Sequence, residues 1–316
     1  MPDLSVIIPA RNELFLSKTV ETILANIRGD TEVIAVCDGY WPDPVLHDHP
    51  RLTVLHYTEP VGQRGGVNRG ASVSRAKYIM KLDAHSSVDE GFDVKLMAPY
   101  ESGEIGMDVT TIPRMYNLHG FDWKCPKCGW AIYQGPKPDA CQQCKASPVV
   151  MDMKWQIRPK HVTDFARFDS EMHFQYWREY RKRPEAQGDI ADVLSSVGAC
   201  FFIPRDRFWQ LGGLDENHGS WGQFGTEVSC KAWLSGGRQV VNKRTWFSHL
   251  FRTKSGTEWG FPYHLSGNAQ DRAREYSRSL WLQNKWEHQT RPLRWLIDKF
   301  WTVAGWTEDA RNALPT

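Results

Sequence analysis

Two short stretches of this chain carry residues suited to gripping a divalent ion. In LDAHSS, residues 82–87, Asp83 and His85 stand two apart at the end of an apolar run, YIMKLD. On an extended strand end alternate side chains point the same way, so a carboxylate and an imidazole at that spacing can pinch one ion. In SHLFR, residues 248–252, His249 offers a second imidazole. That donor set suits Mn2+, or Mg2+ in its place, better than Ca2+. A D-x-H triplet is common by chance, and a histidine at a strand end is more often structural than a ligand. What lends weight here is position: the motif closes the fourth strand of a strand-helix series, at the carboxyl edge where such sheets bind ligands.

A second constellation is made of sulfur. Of seven cysteines, four form CPKC and CQQC, namely Cys125, Cys128, Cys141 and Cys144, with twelve residues between the pairs. Each C-x-x-C turns two thiolates toward one ion. Two such knuckles make a tetrahedral four-thiolate site with no open position, which is structural Zn2+ rather than a catalytic centre. A pair of redox dithiols is the alternative, and the regular spacing speaks against it. Cys37, Cys200 and Cys230 stand alone in apolar surroundings, so no disulfide framework is indicated.

The elements that must position these groups follow from hydrophobic pattern. LSVIIP reads as a strand, residues 15–28 as a helix with Val20, Ile23, Leu24 and Ile27 on one face, and TEVIAVCD, RLTVLHY and AKYIMKLD as three further strands. A helix over 89–100 and a strand near 104–110 complete a βαβ series, hence a mostly parallel sheet. Beyond it come the cysteine insertion, a charged stretch over 163–185 expected to be helical, the strand GACFFIP, a helix near 226–235 and the strand RQVVNKRTWFSHLF. The tail over 269–301 reads as basic, aromatic and largely helical.

The opening SVIIPARNE (5–13), the D-x-H motif, GACFFIPRDRFWQLGGLDE (198–216), SWGQFGTEVSCKAWLSGG (220–237) and the stretch from SHLFR to SRSLW resemble the metal-dependent nucleotide-sugar glycosyltransferases of the GT-A fold, and among them the polypeptide N-acetylgalactosaminyltransferase branch. The resemblance implies an α/β, Rossmann-like, mostly parallel sheet flanked by helices, here with an inserted zinc ribbon of four cysteines and a helical C-terminal segment. It implies transfer of a sugar from a nucleotide-sugar donor, a UDP-sugar by family likeness, to an acceptor hydroxyl. Asp83, His85 and His249 become the metal ligands. Pro9, Ala10, Arg11, Glu13 and Asp38 fall at the nucleoside, Arg64 in the turn GQRGG at the diphosphate, and Trp221 and Arg252 also on the donor side. The branch retains anomeric configuration without a carboxylate base; Glu227 acting as an inverting base is the other option. Two departures stand out. Asp38 is followed by Gly39 where many relatives have a second acid, and Phe224 occupies a position that the family gives to glutamate.

The expected organisation is a nucleotide-sugar-binding half over 1–110, the zinc ribbon over 123–150, an acceptor-side half of the same domain over 151–268 and the tail over 269–316. The 316 residues are 41% apolar with a formal charge of only +2, so the whole chain is no polycation. The charge is uneven: residues 229–316 hold 14 Lys and Arg against 7 Asp and Glu, and residues 123–160 hold seven (Lys124, Lys127, Lys137, Lys145, Lys154, Arg158 and Lys160) against two Asp. Fourteen of the fifteen tryptophans follow residue 120. Trp246, Trp259, Tyr263, Trp281, Trp286, Trp295 and Trp301 interleave with the basic residues as stacking platforms would. This favours DNA as partner, with a hydroxymethylated pyrimidine as acceptor. Ser or Thr of a protein is the alternative acceptor, and an inactive nucleic-acid-binding module the alternative class. No run approaches the roughly 20 apolar residues that span a bilayer, and the start has no basic flank of a signal peptide. A cytoplasmic bacterial or viral protein with no membrane partner is therefore expected.

Overall fold

The computed structural model describes residues 1–251 and 268–316. In chain order, β1 (Leu4–Ala10) leads into α1 (Leu16–Asn26), β2 (Thr31–Asp38), β3 (Leu52–Tyr57), α2 (Gly62–Val73), β4 (Tyr78–Leu82), the short β5 (Ser86–Val88) and α3 (Phe92–Glu101). These pack as the βαβ pattern requires. β1 pairs in parallel with β2 on one side and β4 on the other, and β3 adds in parallel outside β2. β1 is apolar almost throughout, with Leu4, Val6, Ile7 and Ile8 fully buried, because helices cover both faces of a parallel layer.

The second half begins with a long arm: β6 (Val109–Lys124), β7 (Ala131–Tyr133) and β8 (Val150–Thr163), where β7 and β8 both pair antiparallel with β6. The cysteine knuckles sit at its tip. The inner part of β6 runs parallel to β13, so one strand joins the arm to the body. Then follow β9 (Ala166–Phe168), β10 (Phe174–Tyr176), β11 (Ile190–Asp192), β12 (Cys200–Pro204), α4 (Arg205–Gln210), α5 (Phe224–Leu234), β13 (Arg238–His249), α6 (Ala269–Trp281), α7 (Leu293–Lys299) and α8 (Glu308–Asn312). The main sheet has the order β11-β13-β6-β12-β4-β1-β2-β3, with β12 antiparallel to both its neighbours. The α/β class and the parallel layer of β1 to β4 are therefore as expected, whereas the strand expected near 104–110 begins only at Val109 and runs to Lys124. Among the described residues no helix is long and apolar enough to cross a membrane.

Three further expectations change. The stretch over 163–185 is not a helix but the β9–β10 hairpin followed by two 3-10 turns, Arg178–Lys182 and Pro184–Ala186. Its buried side chains are Phe165, Phe168, Met172, Trp177 and Tyr180, which anchor an irregular ribbon to the core while its charges stay outside. Residues 62–66, GQRGG, read as a turn, instead open α2. There the glycines serve packing: a Cβ on Gly70 would lie 2.5 Å from Ile7 Cγ2, so only glycine lets this helix settle on β1. Lastly, the tail is core rather than a basic appendage. Trp281, Leu293, Leu296, Ile297 and Phe300 are buried in one cluster with Phe201 and Trp233. Trp281 and Trp286 are thus removed from any stacking surface, while Trp295 and Trp301 lie under Arg291 and Arg311 at 4.3 and 4.7 Å. Trp259 and Tyr263 lie outside the described residues.

Candidate active site

β1 and β4 are neighbours and end on the same edge of the sheet. From that edge the chain leaves β1 toward Glu13 and leaves β4 through Asp83, Ala84 and His85 into β5. The turn is tied down from two sides: Asp83 N–H donates to Ala199 O at 2.9 Å, and Thr19 of α1 donates its hydroxyl to Ala84 O at 2.9 Å. β5 pairs with the end of β13, setting Ser86 opposite His249. His85 and His249, 164 positions apart in sequence, thereby meet.

Asp83 Oδ2 lies 3.1 Å from His249 Nε2, which lies 3.0 Å from His85 Nε2. Around a six-coordinate ion with ligands at about 2.1 Å, adjacent ligand atoms stand about 3.0 Å apart. The two separations match adjacent positions around such an ion, and the three ligand atoms all lie within 4.8 Å of one another, close enough to share it. The surroundings prepare each ligand. Glu13 Oε2 is 3.0 Å from His85 Nδ1; a carboxylate can only accept, so Nδ1 carries the proton and Nε2 keeps its lone pair for the cluster. Asp83 Oδ1 is taken by Gln63 Nε2 at 3.0 Å and Lys81 Nζ at 2.5 Å, which leaves Oδ2 to face the imidazoles. Burial opposes ionisation of Asp83, but the Lys81 ammonium and the two imidazoles outweigh it and hold the carboxyl well below the usual range. Burial also pushes His249 down to about 4, against the pull of Asp83, so its ring is neutral and ready to ligate at neutral pH.

The motif reading puts Glu13 at the nucleoside; here it orients a histidine. Lys81 and Gln63 are additions that the sequence reading missed. A lysine inside the apolar run YIMKL was the available signal, since a fully buried ammonium on a core strand must have a partner. Gln63 is the neighbour of Arg64, the residue that draws attention in GQRGG.

Arg64 and Glu227 are both buried and paired with each other. Arg64 is 1% exposed and does not present its guanidinium for a diphosphate. Its Nε donates to Glu227 Oε2 at 2.6 Å, and its other nitrogens donate to Gly219 O and Gly222 O at 3.1 and 2.8 Å. Glu227 is fully buried, and its Oε1 accepts from Asp215 N–H at 2.6 Å and faces Lys231 Nζ at 3.1 Å. Burial raises its pKa, yet Lys231, Arg64 and His218 bring it down to about 2. So held, Glu227 with Arg64 braces the loop of the half-buried Trp221, which lies between the two bonded carbonyls. Phe224, in place of the family's glutamate, packs beneath Lys81 Nζ at 4.5 Å and Arg64 at 5.3 Å. Asp38 is likewise engaged: its carboxylate accepts from Val61 and Gly62 N–H at 2.5 and 3.1 Å and caps α2. Pro9, Ala10 and Arg11 leave β1 on the same edge as Asp83. Arg252 lies outside the described residues.

A family model, Glycosyl transferase family 2, matches residues 5–163, half of the chain and all of the β1-to-β8 series. The chain belongs to glycosyl transferase family 2. Relatives of this family 2 member include polypeptide N-acetylgalactosaminyltransferase 3 of Drosophila melanogaster, 24% identical over 151 residues (46% of this chain, 22% of that protein). Polypeptide N-acetylgalactosaminyltransferase 6 of Bos taurus is 24% identical over 269 residues, covering 81% of this chain and 38% of the relative. Polypeptide N-acetylgalactosaminyltransferase 10 of Homo sapiens reaches 36% over 84 residues, 24% of this chain and 14% of that one. The chain spans less than half the length of each. A crystal structure of GalNAc-T7 with UDP, GalNAc and Mn2+ superposes with a TM-score of 0.58 at 17% identity, over 89% of this chain and 48% of that one, which places the fold as GT-A-like.

At the arm tip the four cysteine sulfurs lie within 4.8 Å of one another, with Cys125–Cys144 at 3.7 Å and Cys128–Cys141 at 3.6 Å. Thiolates at about 2.3 Å from a tetrahedral zinc stand about 3.8 Å apart, so the four fit Zn2+.

Proposed function

We propose that this family 2 member transfers a glycosyl group from a nucleotide diphosphate sugar, a UDP-sugar, to an acceptor hydroxyl, with a divalent ion, Mn2+ or Mg2+, held by Asp83, His85 and His249. The observation that carries this reading is the Asp83–His85–His249 cluster at the carboxyl edge of the sheet, backed by Glu13, Gln63 and Lys81. Such an ion, when bound, neutralises the charge that builds on the departing diphosphate. The chain does the rest. Asp83 supplies the negative charge, Glu13 keeps the His85 lone pair aimed inward, and Lys81 and Gln63 fix which carboxylate oxygen is offered. Pro9, Ala10 and Arg11 are assigned to the nucleoside side and the braced Trp221 loop to the sugar side. With Glu227 locked in an ion pair, the reading favours retention of configuration.

For the acceptor we assign a hydroxymethylated pyrimidine in DNA. Support comes from the arm rather than the tail. Its six lysines are exposed, and Lys127, Lys137, Lys145 and Lys160 form no ion pair among the described residues, which suits a phosphate backbone. A base in a duplex would be turned out to reach the cluster. This acceptor implies a bacterial cytoplasm, with a host or viral gene. Transfer to Ser or Thr of a protein is the second reading, favoured by the names of the relatives. An inactive binding module accords poorly with ligands so fully supported.

The test offers Mn2+, a panel of UDP-sugars, hydroxymethylated DNA and Ser/Thr peptides in parallel. Label in DNA supports the assignment; label in peptide alone overturns it. Proton NMR of the product's anomeric centre decides between retention and inversion.

A further inference from the structure

One buried side chain of the cysteine arm bonds to the segment that follows the ligand His249. Gln134 follows β7 and lies in the middle of the loop bounded by Cys128 and Cys141. It is 2% exposed, unusual for an amide on a projecting arm. Its Nε2 donates to Phe251 O at 2.9 Å, its Oε1 accepts from Gly120 N–H at 3.4 Å, and its own N–H donates to Phe121 O at 3.2 Å. Phe251 in turn packs its ring edge-on to His249 at 4.5 Å.

The residue between them is held from both sides. Leu250 N–H donates to His85 O at 3.0 Å, and its side chain packs with Phe15, Leu118 and Phe121 in a small cluster between the arm and the body. Gly120 admits this packing, since a Cβ there would meet Leu250 Cδ1 at 2.8 Å. The segment 249–251 thus has one face on the His85 turn and the other on the arm, and Gln134 supplies a directed bond on the arm side. Gln134 itself is set by its loop. β7 fixes one approach through Tyr133 opposite Asp122, and the knuckles close both ends when the four thiolates share one ion.

We infer that Gln134 is a positioning residue through which the folded cysteine loop sets the divalent-ion affinity of the Asp83–His85–His249 cluster. The inference rests on the metal-site reading above and adds to it a dependence on the cysteine loop.

The test is Mn2+ binding to the full chain by electron paramagnetic resonance, with zinc content measured alongside. Gln134→Ala is expected to weaken Mn2+ binding about tenfold, the lower end of what loss of an outer-shell support does, while retaining one zinc per chain. Gln134→Glu keeps the shape but cannot donate to Phe251 O; it is expected to weaken binding likewise, and it decides the matter should the alanine variant fail to fold. Asp139→Ala, an exposed position in the same loop, is expected to bind as the parent does. Folded, zinc-loaded Gln134 variants with parental Mn2+ affinity overturn the coupling. Asp83→Ala separates the two claims: if it binds Mn2+ as tightly as the parent, the metal-site reading falls and the coupling with it, whereas its loss of binding beside unchanged Gln134 variants defeats the coupling alone.

Discussion

Arg64 and Glu227, 163 residues apart, form an ion pair from which water is excluded, at 2.6 Å. Removing one partner of a buried pair strands a charge, which typically costs about 3–5 kcal/mol. Arg64→Ala is expected to lose stability on that scale in urea unfolding. Glu227→Gln, which keeps the shape, is also expected to destabilise, and the double change to cost less than the sum of the two. If either single variant unfolds at the parental denaturant concentration, the pair is not the brace described here.

Glu13 stands 3.0 Å from His85 Nδ1 and orients that ring. Glu13→Gln lets the amide oxygen accept the same bond but removes the charge, and Glu13→Ala removes both. Mn2+ affinity measured by titration calorimetry is expected to fall modestly in the first and by about 10- to 100-fold in the second. Equal affinity in all three proteins would show that His85 needs no such partner.

Acid should weaken this fold in two stages. Burial pushes His218 down to about 4 from an ordinary 6.5, and Glu227 is held at about 2 against an ordinary 4.5. Both groups take up protons more readily in the unfolded chain, so stability rises with pH across each interval and is lost as pH falls through it. His218 contributes a loss from about pH 6.5 toward 4, worth about 2 kcal/mol between pH 7.5 and 5, and Glu227 a further loss below about 4.5. Urea midpoints at pH 7.5, 5 and 3.5 check this. His218→Gln is expected to flatten the first step, and an unchanged slope in that variant would contradict the assignment.

Close packing makes its own forecast. Gly70→Ala drives a methyl to 2.5 Å from Ile7 Cγ2 between α2 and β1, and overpacking of this kind typically costs about 1–3 kcal/mol. Thermal unfolding of the variant at or above the parental midpoint would show that α2 can shift without loss.

The parallel layer was legible because β1, β2 and β4 carry mostly apolar runs bounded by turns, and the ion cluster because Asp83, His85 and His249 lie in recognisable motifs. What was misread turns on burial, which spacing does not report. Arg64 in a glycine-rich stretch looks like a phosphate contact until α2 forms and turns it inward to Glu227. Glu227 looks like a base until Lys231 and Arg64 are found on it. Trp281 and Trp286 look like stacking platforms because amphipathic tails and core-forming tails share one composition; only the packing of α6 and α7 on Trp233 and Phe201 tells them apart. Glu13 was marked as important for another reason, since its partner His85 is 72 residues away.

On this reading, sugar transfer depends on an ion held by Asp83, His85 and His249. Nucleotide release from a UDP-sugar, followed with Mn2+ and after its removal by chelator, tests it most directly. The parent is expected to turn over its donor only with the ion present, and Asp83→Ala to lose about a thousandfold, the several kcal/mol of charge stabilisation such an ion provides. Donor turnover that survives chelation, or is undiminished in a folded Asp83→Ala protein, would contradict it.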